Sequence, residues 1–132
     1  LEIVSKHMKP YSFEPNQSVF KEGEHANAVC FVLSGELEVL KEKQPGKVAK
    51  IATLTTGQSI GEMAIIDGLT RSATVKAVSQ TNVMVLRRSD FSQLLETHPK
   101  IGQTILMGIA RLLSLNLRKT SDEVTSLMLG IA

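Results

Sequence analysis

Residues 61–75 read GEMAIIDGLTRSATV. Gly61 and Glu62 open the stretch, Met63 to Ile66 form a short apolar run, and Asp67-Gly68 breaks it. Arg71-Ser72-Ala73 then closes the turn before a strand-like tail. One compact turn therefore carries a carboxylate at one end and a guanidinium at the other. A planar guanidinium donates two parallel bonds to an anion, and a carboxylate accepts from hydroxyls. The pair suits a ligand that presents both sugar hydroxyls and a phosphate. The pattern predicts a short helix from about Glu62 to Asp67, whose first N–H groups point at an anion. Gly68 is placed to end that helix in the left-handed conformation. Gly61 lacks a side chain, so a ligand can lie close against its backbone. Taken singly, Glu62 and Arg71 read as an ordinary ion pair or as solvated charges. The spacing, the glycines and the Arg-Ser-Ala-Thr tail together are far more specific.

Outward from this stretch, the residues from about Tyr11 to Arg88 read as short strands separated by glycine turns. Ser18 to Lys21, Val29 to Leu33, Leu37 to Lys41, Val48 to Leu54, Ala73 to Val78 and Val83 to Leu86 are the expected strands. Gln44-Pro45-Gly46-Lys47 and Thr56-Gly57-Gln58 are turn signals. Strands this short and this regularly spaced predict a β-sandwich or a barrel-like roll.

From Ser89 the period becomes helical. Ser89 is the expected N-cap, with Phe91, Leu94 and Leu95 as an apolar stripe. His98-Pro99 interrupts it, and a second helix is expected from about Lys100. Leu106, Ile109, Leu113, Leu117, Thr120, Val124, Leu127 and Ile131 recur at alternating three- and four-residue steps. That seam predicts packing on another helix, as in a homodimer, or packing on the chain's own roll. Thr120 with Glu123 is a capping-box pattern that would instead mark a break. Ile3, Val4, His7 and Met8 suggest one amphipathic helical turn at the start.

Composition excludes several function classes. The chain has 132 residues, a formal net charge of +2, one cysteine and no tryptophan. It suits one domain over residues 1–132, with a roll at about 10–88 and helices at about 89–132. Lone Cys30 makes no internal disulfide, so a reducing cytoplasm is expected. There is no secretory pattern near the start and no apolar run near the ~20 residues of a membrane span, so no membrane contact is expected. The first residue, Leu1, suggests a piece of a longer protein. The small charge and sparse aromatics argue against nucleic-acid binding. His7, His25 and His98 are scattered, so no metal is expected. No nucleophile motif occurs, so the expectation is a binding protein and not an enzyme. Cys30 reads as buried and inert. Lys41, Lys43, Lys47 and Lys50 read as a solvated hairpin tip.

The stretch Gly61–Thr74 resembles the phosphate-binding cassette of the cyclic-nucleotide-binding domain family, G-E-[LM]-A-x-x-x-G-x-x-R-[ST]-A-T. Phe13–Gln17, Val19–Glu24, Val32–Val39 and Leu54–Glu62 look like the same family's strands in order, so the likeness spans roughly Met8 to Arg118. One departure is Asn16, where the family has glycine; asparagine tolerates a positive φ. The resemblance implies a mainly β fold with flanking helices: an eight-stranded, jelly-roll-like double-stranded β-helix plus C-terminal helices. It implies that Glu62 accepts from a ribose hydroxyl and that Gly61 contacts the sugar. Met63 and Ala64 continue the cassette. Arg71 would bind the cyclic phosphate, with Ser72 and Ala73 adding donors. Val39, Ile51, Leu54, Ile60 and Met63 would line the pocket, each being equally suited to plain core packing. Asn116 or Thr120 on the long helix would reach the base, or else be polar positions in a helix seam. The implied ligand is cAMP, with cGMP as the alternative, in a regulatory sensor that dimerises through its C-terminal helix. A ligand-free roll used only for dimerisation or protein contact is the reading from a different class. The residues up to Ala132 leave no room for a helix-turn-helix after the long helix, so this segment is not expected to bind DNA, whereas a longer parent could still carry one.

Overall fold

The computed structural model describes residues 6–128, apart from the side chains of Asn116, Thr120 and Glu123. The chain divides into two compact units, Leu1–Leu94 and Leu95–Ala132. The first is an antiparallel roll of eight strands in two four-stranded sheets. One sheet orders β1 (Met8–Phe13), β8 (Thr81–Arg87), β3 (Ala28–Ser34) and β6 (Ser59–Ile60) side by side. The other orders β2 (Ser18–Phe20), β7 (Thr74–Ala77), β4 (Leu37–Gln44) and β5 (Lys47–Leu54). The expected mainly β fold with C-terminal helices is what the chain forms.

The core follows from the period-two pattern of the strands. Cys30, Val32, Val83, Leu37, Val39, Val75 and Ala77 are buried between the sheets. Phe13, Val19, Phe20, Leu54, Ile60, Ala73 and Val85 pack against them, partly buried. The Pro45-Gly46 turn joins β4 to β5, pairing Gln44 with Lys47. Asn16 adopts φ +73, the positive φ its position required.

One expectation is corrected at strand level, and one short strand carries no pattern of its own. Met8, expected in a helical turn, begins β1 and pairs with Leu86; Ile3 and Val4 lie outside the described residues. The sequence MKPYSF hides this strand because it lacks apolar alternation and contains Pro10. Proline is tolerated there because β1 is an edge strand. Strand β6 has only two residues, too few for any period to show.

Three helices follow among the described elements. Helix α1 (Met63–Ile66) packs on β3 and buries Ala64 and Ile65. Gly68 follows at φ +64, the left-handed position expected of it. Helix α2 (Arg88–Thr97) starts one residue before Ser89, which sits in its first turn and not at its cap. The second unit carries α3 (Pro99–Met128), which opens on Pro99. It runs unbroken through Thr120–Glu123, so the capping-box pattern marks no break. Within this unit Gly102 lies against Leu95: a Cβ on it would stand 2.4 Å from Leu95 Cδ2. Leu117, Val124 and Leu127 of the expected seam are exposed, whereas Ile109 is buried. Ile131 lies outside the described residues.

Candidate functional site

Residues Gly61 to Ala73 connect β6 to β7 across one end of the roll. Their tail is fastened by a backbone ladder to the loop after β2. Arg71 N donates to Glu24 O at 2.7 Å, and Gly23 N to Arg71 O at 2.9 Å. Ala26 N donates to Leu69 O at 2.9 Å, with a bridge between His25 and Thr70. Glu22 N donates to Thr74 Oγ1 at 3.0 Å. The turn is therefore pinned along its Arg71 side, and that pinning sets where the guanidinium points.

Arg71 is only 8% exposed, which removes most of the water a guanidinium would otherwise hold. Its Nη2 donates to Ala28 O at 2.6 Å, and its Cζ lies 3.6 Å from the centre of the Phe20 ring. A cation over a ring face is attracted by the ring quadrupole, so Phe20 and Ala28 O together offset the lost hydration. Burial nevertheless lowers the Arg71 pKa, while Cys30 and Glu24 act to raise it. The reverse effect acts on Cys30, whose thiol is pushed up to about 12 by burial, against the lowering influence of Arg71.

Gly61 explains why the turn needs a glycine. Its φ is +85, and a Cβ there would stand 2.2 Å from Arg71 Nη1 and 3.1 Å from Ala28 O. The two ends of the turn thus meet: the guanidinium lies on the bare backbone of Gly61. Glu62 next to it is half-buried and adopts a helical φ and ψ at the N-cap of α1. Its Oε1 accepts from Ser59 Oγ at 2.5 Å. Ser59 and Phe20 are partners that a search of the sequence for charges did not find. Lys41 is a third. Expected at a solvated hairpin tip, it donates from Nζ to Ser72 O at 2.7 Å and so ties β4 to the turn's tail.

The expected helix-terminus donors are largely engaged. Ala64 N donates to Gly61 O and Ile65 N to Glu62 O, closing a tight turn. Ser72 is exposed, and Ala73 is half-buried against the core. Of the five expected wall residues, Val39 is buried in the core, and Leu54 and Ile60 pack against it. Ile51 and Met63 are exposed, at 50% and 58%. Asn116 and Thr120 lie in α3, with side chains outside the described set. Among the described residues no cluster of His, Cys, Asp or Glu is arranged to hold a metal ion, and no helix is long and apolar enough to cross a membrane.

The sequence pattern of the cyclic nucleotide-binding domain matches residues 10–98. The chain belongs to the cyclic nucleotide-binding domain family. A domain of this family from Methylobacillus flagellatus superimposes with a TM-score of 0.84 at 32% identity, over 92% of this chain and 68% of that one. The catabolite activator protein of Thermus thermophilus gives a TM-score of 0.80 at 26% identity, over 96% of this chain and 59% of that one. A putative potassium channel protein of Rhodopseudomonas palustris is 38% identical over 92 residues, which is 70% of this chain. A lysophospholipase of Chaetomium globosum is 30% identical over 115 residues, or 87% of this chain. This domain spans 22% of the channel protein and 7% of the lysophospholipase. The Gly61–Ala73 turn lies inside the matched residues, with Glu62 and Arg71 as its two charged ends.

Proposed function

We propose that this domain binds cAMP in the Gly61–Ala73 cassette and passes binding on to its C-terminal helices as a regulatory sensor. The observation that carries the reading is the guanidinium of Arg71 lying against Gly61, the residue that precedes Glu62 in the chain. A cyclic phosphate there takes bonds from the guanidinium, and the ribose hydroxyl donates to Glu62. Charge-assisted bonds of this kind contribute about 1.5–3 kcal/mol each. Met63, Ala64, Ser72 and Ala73 border the ligand, with Val39, Leu54 and Ile60 behind it and Ile51 at its edge. Asn116 or Thr120 meets the base. cGMP is the alternative ligand, since the Ser72 hydroxyl is exposed beside the arginine.

A bonded path supports transmission. Ala26 N holds Leu69 O of the cassette, and Arg88 N at the start of α2 donates to Asn27 O at 2.7 Å. The Arg88 guanidinium also lies against Gly68, where a Cβ would stand 2.6 Å from Nη1. Movement of the cassette therefore pulls on α2 through two adjoining residues. The nucleotide acts by shifting a population between two positions of this path. We further propose that residues 1–132 act as one ligand-binding domain with no catalytic role and no metal, in the cytoplasm. The domain pairs with a second copy through α3, where Leu117, Val124 and Leu127 are exposed. It makes no contact of its own with membrane or nucleic acid.

Calorimetric titration of wild type and Arg71→Ala with cAMP and cGMP tests the reading. Heat with cAMP on the wild type, and binding at least about tenfold weaker in the variant, is expected. No heat with either nucleotide sinks the sensor, and equal binding by Arg71→Ala sinks the site. A second reading, a ligand-free roll serving as an interaction module, draws on the internal engagement of Arg71 with Ala28 and Phe20. Absence of nucleotide binding together with dimers in light scattering favours it. Monomers at high concentration, with and without nucleotide, overturn pairing through α3.

A further inference from the structure

Beside Arg71 the roll opens into a cleft of about 450 Å³ that Glu62 does not line. Its walls include Tyr11, Phe13, Phe20, Glu24, Arg71 and Arg87, contributed by β1, β2, β8, the loop after β2 and the turn before β7. None of Gly61–Ala64 borders it, nor do Val39, Ile51, Leu54 and Ile60. Arg71 is the one cassette residue it shares. We propose that this cleft is a second binding site and that its ligand is a small aromatic carboxylate.

Three features select that chemistry. The volume falls within the ~300–1,000 Å³ of small-molecule sites. The chain has four phenylalanines and one tyrosine, and three of these five rings, Tyr11, Phe13 and Phe20, face this one cleft. A flat ring entering it meets ring faces and edges on several sides. The charges then choose the anion. Arg71 and Arg87 carry two positive charges and Glu24 one negative, leaving one positive charge in excess among the three. A single carboxylate matches that excess and suits the guanidinium fork. A phosphate monoester would bring its second charge against Glu24. The receptor atoms are also held in place. Arg87 Nη2 donates to Tyr11 Oη at 2.8 Å, which fixes the cation and the ring beside one another, and Arg71 is anchored on Ala28 O.

Sharing Arg71 has a consequence, which rests on the nucleotide reading above. A carboxylate that draws on the guanidinium from the cleft opposes a phosphate that draws on it from the cassette. The two ligands therefore weaken one another, and by linkage each does so to the same extent.

Titration of the whole chain with 2-naphthoate, followed by amide NMR shifts, tests the site, with the uncharged 2-naphthamide alongside. Shifts centred on Tyr11, Phe20 and Val85, with a dissociation constant on the order of 1 mM or tighter, are expected. Naphthamide, and naphthoate on Arg87→Glu, bind at least about tenfold more weakly. Absence of shifts at those residues at millimolar probe overturns the site, and equal binding of naphthamide overturns the carboxylate. A cAMP titration at saturating naphthoate then reads the sharing. An affinity lowered about fivefold or more supports it, and an unchanged affinity overturns it. Arg87→Glu without naphthoate retains its cAMP affinity, because Arg87 lies outside the cassette. A chain that takes naphthoate in the cleft but no nucleotide at all leaves the cleft standing and removes the sensor reading instead.

Discussion

Glu62 and Arg71, the two charged ends of the cassette, differ in what holds them. Glu62 is half-buried, sits in ordinary helical backbone and accepts one hydroxyl from Ser59, three residues away. Arg71 is buried, stacked on Phe20 from β2 and bonded to Ala28 of β3, 43 residues away in sequence. In the proposed nucleotide reading, one end presents its acceptor to the ligand. The other holds its donors in the body of the roll and must redirect part of them to bind an anion. A pre-formed acceptor tunes affinity locally, whereas an internally engaged donor couples affinity to the packing of the roll.

Gly61 is where the two ends touch, so altering it breaks the comparison most severely. Gly61→Ala places a methyl at 2.2 Å from Arg71 Nη1, on backbone at φ +85. The left-handed strain alone is about 1–2 kcal/mol for a residue with a Cβ. Gly57 is the control, with φ +88 and nothing within 4 Å of its Cβ position. Both alanine variants lose stability in urea titrations by that strain. Only Gly61→Ala also displaces the guanidinium, with nucleotide binding expected to fall at least about tenfold. Equal nucleotide affinity in the two variants would refute the contact between the cassette's ends.

The next effect has the opposite sign on binding. Phe20→Leu removes the ring beneath Arg71 while keeping most of the apolar volume. The ring–cation contact contributes about 0.5–2 kcal/mol, so the roll loses roughly that much stability. A guanidinium released from the ring is easier to redirect, and nucleotide affinity is expected to rise by a few fold, read by calorimetry. Ser59→Ala gives a smaller change at the other end. It removes one donor from Glu62, shifts nucleotide affinity by about 1 kcal/mol or less, and leaves urea stability nearly unchanged. If Phe20→Leu and Ser59→Ala act alike on binding and on stability, the two ends do not differ in the way described.

Where the sequence was legible follows the same division. The turn itself, from Gly61 to Ala73, was readable because its glycines, carboxylate and arginine are close in the chain. Strands β3, β4 and β5 were readable because their apolar residues alternate or run together between clear turns. Strand β1 was not, because an edge strand draws its order from pairing with β8 and needs little apolar pattern of its own. The partners of Arg71 were equally hidden. Phe20 and Ala28 look like ordinary strand residues until β2 and β3 are folded against the cassette. Lys41 was misread for the same reason, since its acceptor, Ser72 O, lies 31 residues on. Local chemistry is written in spacing; chemistry between distant strands depends on register, which spacing does not carry.

Cys30 gives the most indirect measure of burial around Arg71. Its ordinary pKa of 9.0 is pushed up to about 12 by burial, although the nearby guanidinium acts to lower it. In the unfolded chain the thiol ionises above about pH 9, whereas in the folded roll it stays protonated until about 12. The folded state therefore binds more protons across that window, and stability falls as pH rises through it. Cys30→Ala removes this contribution to the slope. Urea titrations at pH 7, 9 and 10.5 are expected to show a steeper loss of stability for wild type than for the variant, whatever offset the lost sulfur introduces at pH 7. Equal slopes would mean that water reaches Cys30 and, with it, the Arg71 end of the cassette. Adding Phe20→Leu sharpens the reading: a guanidinium freed from its ring opens the neighbourhood to water, and the slope owed to Cys30 should shrink with it.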